Sequence, residues 1–243
     1  LSSVVYKIGL ATYEATHTTP DAIRLNGMLR EMVDSGCKYC FMEVSSHAVD
    51  QQRISSLNFD IALFTNISRD HLDYHKTYDA YISAKKKFFD GLSSKSIAIV
   101  NIDDKHGSTM LHHTKAKKKT FALRTAADYK CKIIENQFSG LHLNINGQDV
   151  YTKLIGRFNA SNLLLTYATA IELGENQLQV LTVLSALDAV EGRFQQFKSD
   201  LGVNSIVDYA HTPDALMNVL KTIADIRTGN EKVICVVGCG GDR

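Results

Sequence analysis

Between Thr65 and Lys76 the sequence places Arg69, Asp70, His71, Asp73 and His75, a density of titratable side chains beyond what a connecting loop needs. Imidazoles and carboxylates grouped in this way can hold a cation, move a proton or meet a phosphate. His71 and His75 stand one helical turn apart and, with Asp73, can be read as the ligands of a zinc-dependent hydrolase. No third ligand of matching geometry is identifiable for that reading, and it leaves Lys85 without a role. At about 100° per residue, Tyr78, Tyr81, Ile82, Phe88 and Phe89 share one helical stripe with Lys85 in its middle, while Lys86 and Lys87 point away. Either Lys85 snorkels along its stem to water, or it is buried and aimed at the cavity of the acid and histidine cluster. In that second case it serves as a cation for phosphate or carries a chemical modification.

A second group lies upstream. Glu43 sits near the carboxyl end of the apolar run from Lys38 to Val44, where a carboxylate is costly unless something cationic meets it. A hard cation such as Mg²⁺ prefers oxygen ligands, and ligands gather at strand ends in open α/β sheets; a structural salt bridge is the competing reading. Ser45, Ser46, His47 and Arg53 follow, hydroxyls and a guanidinium suited to phosphate or carboxylate. Thr18 and Thr19 precede Pro20 and Asp21, and two threonines are one more than a helix cap needs.

The words TNISRDHLDYH and SAK, at this separation, resemble the Mur ligases, ATP-dependent enzymes that add amino acids to the nucleotide-linked precursor of the bacterial cell wall. With EVSSHAVDQQR, GRFNASNLL, VEGRFQ, VDYAHTPDAL and GCGGDR in the same order, the resemblance is to the tripeptide-synthetase (MurE) type. It implies a central ATP-binding ligase domain over residues 1–190 and the first part of a Rossmann-like carboxy-terminal domain over 191–243. The implied reaction adds a diamino acid to UDP-N-acetylmuramoyl-L-alanyl-D-glutamate in peptidoglycan synthesis, through an acyl phosphate. Carried over residue by residue, Thr18, Thr19, Ser45 and Arg53 match substrate contacts. Glu43 and His71 match residues that hold Mg²⁺, and Lys85 matches a carbamylated lysine whose oxygens hold a second Mg²⁺; these three form the implied catalytic set. Asn159 and Asn162 match an asparagine pair against the adenine of ATP, with simple capping as the other reading of Asn159. Arg193 matches a nucleotide contact, Asp208 a ribose contact, and Arg243 a residue that meets the carboxylate end of diaminopimelate. On Arg243 the resemblance favours meso-diaminopimelate over L-lysine.

One departure is plain. The family cradles the ATP phosphates with a Gly-rich P-loop, and no GxxxxGK[ST] occurs in the sequence. The loop and the family's amino-terminal UDP-binding domain are expected upstream of Leu1. A noncatalytic UDP-sugar or peptide-binding module is therefore a further reading. The 243 residues by themselves are expected to fold but not to turn over ATP, because nothing in them positions the γ-phosphate for in-line attack. A phosphate-release assay with magnesium, ATP, the UDP-muramoyl dipeptide and either diamino acid checks this; sustained product above a Glu43→Ala control would overturn it.

The elements that must carry these residues read as α/β. Asp60 to Phe64 is a short buried strand running into the titratable loop, and Thr77 caps the helix of Lys85. Ser3–Ile8 and Ala11–Ala15 read as a strand pair, and Thr18-Thr19-Pro20-Asp21 opens a helix with threonine as cap and proline at its first position, ending near Ser35 and Gly36. Lys38–Val44, Ser96–Asn101 and Lys119–Leu123 are further strands of a mostly parallel sheet flanked by helices. Period-two alternation over Lys130–Gln137, Gly140–Ile145 and Asp149–Leu154, with a turn at Asn146-Gly147, predicts an appended antiparallel meander. Helices follow over Gly156–Leu173 and Gln177–Leu187, a hinge at Val190 to Arg193, then strand Ser205–Tyr209, helix Thr212–Ile226 and strand Val233–Val237.

The balance of 27 basic to 26 acidic residues offers no field for nucleic acid or an anionic membrane. No apolar run is long enough to span a bilayer, and 44% hydrophobic content describes a globular chain. Five cysteines without framework spacing fit a reducing cytoplasm; Cys37 and Cys40 read as core or near-core. A cytoplasmic monomer binding small molecules, with no nucleic-acid or membrane partner, is the expectation.

Overall fold

The computed structural model describes residues 1–68, 70–229 and 231–238, so Arg69, Cys239 and Arg243 lie outside the described residues. The expected amino-terminal pair forms as an antiparallel hairpin, β1 (Val5–Ile8) with β2 (Ala11–Glu14). Helix α1 (Ala22–Asp34) packs Met28 and Met32 against Tyr6 and Ile8 of that hairpin. Its cap is Asp21, whose carboxylate accepts from the amides of Ile23 and Arg24 at 3.0 Å each, and Pro20 lies outside the helix. The expected threonine cap loses because a charged acceptor gains more at the positive end of a helix dipole than a hydroxyl does.

The expected strand over 38–44 is not formed. The main-chain ties of the segment, among the described residues, include the Leu1 ammonium donating to the Phe41 carbonyl at 2.7 Å and the Glu43 amide donating to the Leu1 carbonyl at 3.0 Å. Two bonds to one residue do not make a ladder. Tyr39 and Phe41 stand 53% and 65% exposed, and Glu43 and Cys40 are exposed as well, which corrects both the buried-carboxylate argument and the near-core reading of Cys40.

After α2 (Ser46–Asp50) come β3 (Ile61–Phe64), the one-turn α3 (Leu72–His75) and α4 (Tyr78–Asp90), capped as expected by Thr77. Then β4 (Ile97–Asn101), α5 (Gly107–Met110), β5 (Lys117–Ala122), β6 (Tyr129–Gln137), β7 (Gly140–Ile145) and β8 (Gln148–Thr152) follow. The sheet order is β3-β4-β5-β6-β7-β8, mixed and mostly parallel in its central part, with β7 antiparallel to both of its neighbours, β6 and β8. Ala98, Ile99 and Val100 of β4 are all fully buried, the continuous apolar run of a strand covered on both faces. Asn146 and Gly147 both take positive φ, 46° and 89°, as a two-residue hairpin turn between right-twisted strands requires.

The carboxyl end of β4 is tied down by one aspartate. Asp103 accepts from the amides of Leu123, Arg124 and Thr125 at 2.7, 3.0 and 3.0 Å and from the Thr125 hydroxyl at 2.8 Å. Beside it, Asn101 donates to the Thr65 carbonyl at 2.8 Å and Asp104 accepts from the Ile67 amide at 3.1 Å, which fixes the start of the titratable loop. Gly107 closes this turn where only glycine fits: a Cβ there would lie 2.0 Å from the Asn101 carbonyl oxygen.

Helices α6 (Arg157–Glu172) and α7 (Gln177–Ala186) follow, then β9 (Gln195–Lys198), β10 (Asn204–Val207) and α8 (Pro213–Ile226), capped by Thr212 with proline at its start as expected. The strand expected at Ser205–Tyr209 is β10, and it pairs antiparallel with β9, which periodicity did not reveal. The strand expected at 233–237 is not formed; Ile234 and Val236 are 88% and 94% exposed, and apolar composition without a partner strand does not make a ladder. Contacts group the chain into two compact units, residues 1–62, 71–98 and 108–118 in the first and 63–70, 99–107 and 119–243 in the second. Among the described residues no helix is long and apolar enough to cross a membrane.

Candidate active site

In the first unit the site is built on α2, a helix of five residues. Ser45 caps it, accepting from the Ala48 amide at 3.1 Å. The buried Thr19 hydroxyl sets the approach: it donates to the Glu43 carbonyl at 2.8 Å and accepts from the Ser45 amide at 3.1 Å. Thr19 thus acts on the main chain between Glu43 and Ser45, while Thr18 is half-buried beside it. The guanidinium of Arg53 donates to the Thr19 carbonyl at 2.8 Å and to the Gln51 side chain at 2.9 Å. The Glu43 carboxylate accepts from the Ser3 hydroxyl at 3.1 Å.

Opposite α2 stands α3, bracketed by two residues at positive φ, His71 (φ 55°) and Lys76 (φ 66°). Each such residue costs on the order of 1–3 kcal/mol and persists where its surroundings hold it, often at functional positions. His71 lies edge-on to the rings of His47 and Tyr81, at 4.9 and 5.9 Å between centroids. His75 is buried, its Nε2 2.9 Å from the Ser46 hydroxyl and its ring 5.3 Å from Tyr81. Lys85 is half-buried and places Nζ 5.3 Å from the centroid of the same Tyr81 ring. Lys87 reaches Asp50 at 3.2 Å, and Lys86 closes on Asp90 at 2.6 Å with its side chain only 17% exposed, less outward than the stripe predicts. The structure therefore brings His71 and Lys85 to one tyrosine; Glu43 is tied to α2 through its main chain, by Thr19 and Ser45, and its carboxylate meets Ser3.

The crowding favours the neutral imidazole at His47 and His75. Burial pushes the His47 imidazole below its ordinary value, and the neighbouring His71 and His75 add to this. Burial lowers His75 too; Asp50 opposes, while His71 and Lys85 reinforce. Asp50 is held below the usual carboxylate range by the hydrogen bonds from Lys87 and Tyr74. Neutral imidazoles retain a lone pair able to accept a proton or meet a cation.

The zinc reading fails on geometry: His75 is occupied by Ser46, and among the described residues no group of three His, Cys, Asp or Glu could hold a metal. A Mg²⁺ ion asks for less, since it keeps several waters and takes one or two carboxylates together with substrate oxygens. An exposed Glu43 carboxylate with a hydroxyl neighbour suits that chemistry.

The remaining expected residues lie in the second unit. Asn159 is half-buried in the first turn of α6 and donates from Nδ2 to the Ile155 carbonyl at 2.8 Å; it does not cap, since Gly156 holds that position. Asn162 is exposed on the same helix. The Arg193 guanidinium lies 5.0 Å from the Tyr209 ring centroid. Asp208 accepts from the amides of Phe194 and Ala210, 2.8 Å each, and so holds a turn in which the buried Phe194 adopts φ 46°. Sequence reasoning missed Tyr81 as a meeting point, although it lay on the Lys85 stripe, and missed the Ser46–His75 bond; tyrosine four residues before lysine on an apolar face was the available signal.

Residues 1–170 match the family profile described as Mur ligase middle domain, and residues 192–243 match the one described as Mur ligase, glutamate ligase domain. The chain belongs to the Mur ligase family. Similar curated relatives are the UDP-N-acetylmuramoyl-L-alanyl-D-glutamate--2,6-diaminopimelate ligases of Parabacteroides distasonis and Cytophaga hutchinsonii, 53% and 54% identical over 243 residues. Those alignments cover 100% of this chain and 50% of each relative, so the Mur ligase chain spans about half the length of the curated relatives it matches. A solved structure of a ligase of the same name superposes with a TM-score of 0.76 at 33% identity, covering 95% of this chain and 48% of that one. The Mur ligase fold expected from the motifs is the fold observed.

Proposed function

We propose that this chain carries the ligase core of an enzyme that joins meso-diaminopimelate to UDP-N-acetylmuramoyl-L-alanyl-D-glutamate with consumption of ATP. The meeting of His71 and Lys85 at Tyr81, beside the helix capped by Ser45, is the observation that carries this reading. The names of the similar ligases supply the acceptor, 2,6-diaminopimelate. Residues 1–190 form the central ATP-binding domain and residues 191–243 open the carboxy-terminal one, with the turn from Val190 to Arg193 as hinge.

In the reaction a substrate carboxylate oxygen attacks the γ-phosphorus of ATP, and ADP leaves. The amine of the diamino acid then attacks the acyl carbon, the carbon–oxygen bond to phosphate breaks, and the amine sheds a proton. Arg53, pinned by Thr19 and Gln51, presents a guanidinium that steadies the anionic substrate near Ser45. Thr18 lines the approach, and Thr19 holds the backbone to which Glu43 and Ser45 belong. Asn159 keeps its side-chain oxygen and one N–H for adenine, with Asn162 one turn on. Arg193 meets the nucleotide, and Asp208 reaches the ribose with the lone pairs its backbone partners leave free. Magnesium ions, held by Glu43, by His71 and by a carbamate on Lys85, would neutralise phosphate oxygens as charge builds.

The test is amide formation by a chain that joins these 243 residues to a family P-loop, supplied with labelled meso-diaminopimelate or L-lysine. ATP-dependent incorporation of diaminopimelate, with ADP and phosphate released in step, is expected. Preferential use of L-lysine, or binding of the UDP-muramoyl dipeptide without ATP consumption, would overturn the reading.

A further inference from the structure

Helix α2 cannot hold itself in place. Five residues make little more than one turn, and a lone turn is unfavourable because nucleation fixes several residues for one hydrogen bond. Its position must come from its neighbours. One tie is the Asp50 carboxylate, which meets Lys87 at 3.2 Å and the Tyr74 hydroxyl at 3.0 Å. The Asp50 and Lys87 side chains are 37% and 63% exposed, so that ion pair is screened and weak. The bond between Ser46 and His75 is different in kind. Ser46 is 1% exposed and His75 9%, and the hydroxyl and Nε2 lie 2.9 Å apart. A polar pair buried this far from water is strong while intact and expensive to break, because either partner left alone stays desolvated.

That bond sits between two groups with different roles in the reading above, on which this inference rests. On the α2 side, Ser45 and His47 flank Ser46. On the other side, the His75 ring lies 5.3 Å from Tyr81, and Tyr81 is the ring that faces both His71 at 5.9 Å and Lys85 Nζ at 5.3 Å. His47 closes the circuit, 5.5 Å from His75 and 4.9 Å from His71. We propose that Ser46 and His75 are positioning residues that lock the substrate-facing helix to His71 and Lys85 through Tyr81, so that substrate and metal are placed by one rigid link. Neither touches the reacting atoms.

A dislocated link moves one ligand group relative to the other, so its signature is the coupling between two ligands rather than either affinity alone. The experiment is calorimetric titration of the UDP-N-acetylmuramoyl dipeptide into a ligase-competent chain carrying these residues, with and without magnesium chloride, for the unaltered protein, Ser46→Ala, His75→Phe and His75→Gln. The unaltered protein is expected to bind the dipeptide more tightly with magnesium present. In Ser46→Ala and His75→Phe that enhancement is expected to fall on the order of tenfold, as loss of a group that orients a metal ligand does elsewhere. His75→Gln, whose amide can still bond Ser46, should retain most of it. A purely structural role would lower the melting temperature of the first two variants and leave the enhancement unchanged below their melting range, and that result would overturn the proposal. If Ser46→Ala does not fold, His75→Phe decides, since it keeps a ring against Tyr81 and loses only the bond. Absence of dipeptide binding or of any magnesium effect in the unaltered protein would instead defeat the ligase reading beneath it.

Discussion

Replacing Lys85 with alanine is expected to lower ligation turnover on the order of 10²- to 10³-fold, the scale seen when one preorganised group facing developing charge is removed. The fold should barely notice. Lys85 is half-buried with its ammonium near the Tyr81 ring, and loss of such a contact costs about 0.5–1 kcal/mol, roughly 1–4 °C in melting temperature for a chain of this size. The measurement is steady-state turnover beside a thermal melt, in a ligase-competent chain carrying these residues. Lys85→Arg separates the two forms of the hypothesis. It keeps a cation beside Tyr81 but does not form the carbamate, so it should be as impaired as alanine if oxygens on Lys85 are what the reaction needs. Added bicarbonate should rescue neither variant. Near-normal turnover in Lys85→Ala would return this lysine to the snorkelling role that its half-buried position also permits.

Asp103→Ala is expected to have the largest effect on stability, about 3 kcal/mol, or a fall of roughly 6–12 °C in melting temperature. The carboxylate is 10% exposed and accepts three backbone amides and a hydroxyl that join the end of β4 to the turn after β5. Removing it strands donors that water reaches only in part. The pH dependence follows from the same contacts. Burial alone raises the Asp103 carboxyl, but the Thr125 hydroxyl and the amides of Leu123, Arg124 and Thr125 outweigh it and hold the group below its ordinary value. A carboxyl depressed on folding adds stability above its unfolded pKa of about 3.9, and that contribution disappears as pH falls through the lower folded value. The gap in melting temperature between the unaltered protein and Asp103→Asn should therefore be constant from about pH 6 to 8 and shrink below about pH 4. A destabilisation smaller than about 1 kcal/mol in Asp103→Ala at neutral pH would mean that water replaces the carboxylate at all its donors.

Much of the architecture was legible in the chain because its causes are local. Alternation over β6, β7 and β8, the Asn146-Gly147 turn, and the Thr77 and Thr212 caps each depend on a few consecutive residues, and each formed where the sequence placed it. So did the helix that carries Lys85, while the titratable stretch before it, expected as a polar loop, holds the one-turn α3. At Asp21 a local competition between two capping chemistries was misjudged: a carboxylate outbid a hydroxyl at a helix start, which freed Thr19 to hold Glu43 and Ser45.

The sequence by itself thus determined which residues are equipped for phosphate and carboxylate chemistry and which element carries each. Tertiary structure decided what those residues touch. Whether Lys38–Val44 becomes a strand depends on a partner ladder, and its apolar run says nothing of one. That Tyr81 serves His71, His75 and Lys85 at once, and that His75 is spent on Ser46, follows from α2 lying against α3 and α4. No spacing rule encodes that contact, because Ser46 and His75 are 29 residues apart, and only burial of both makes their bond worth more than the bonds each could form with water.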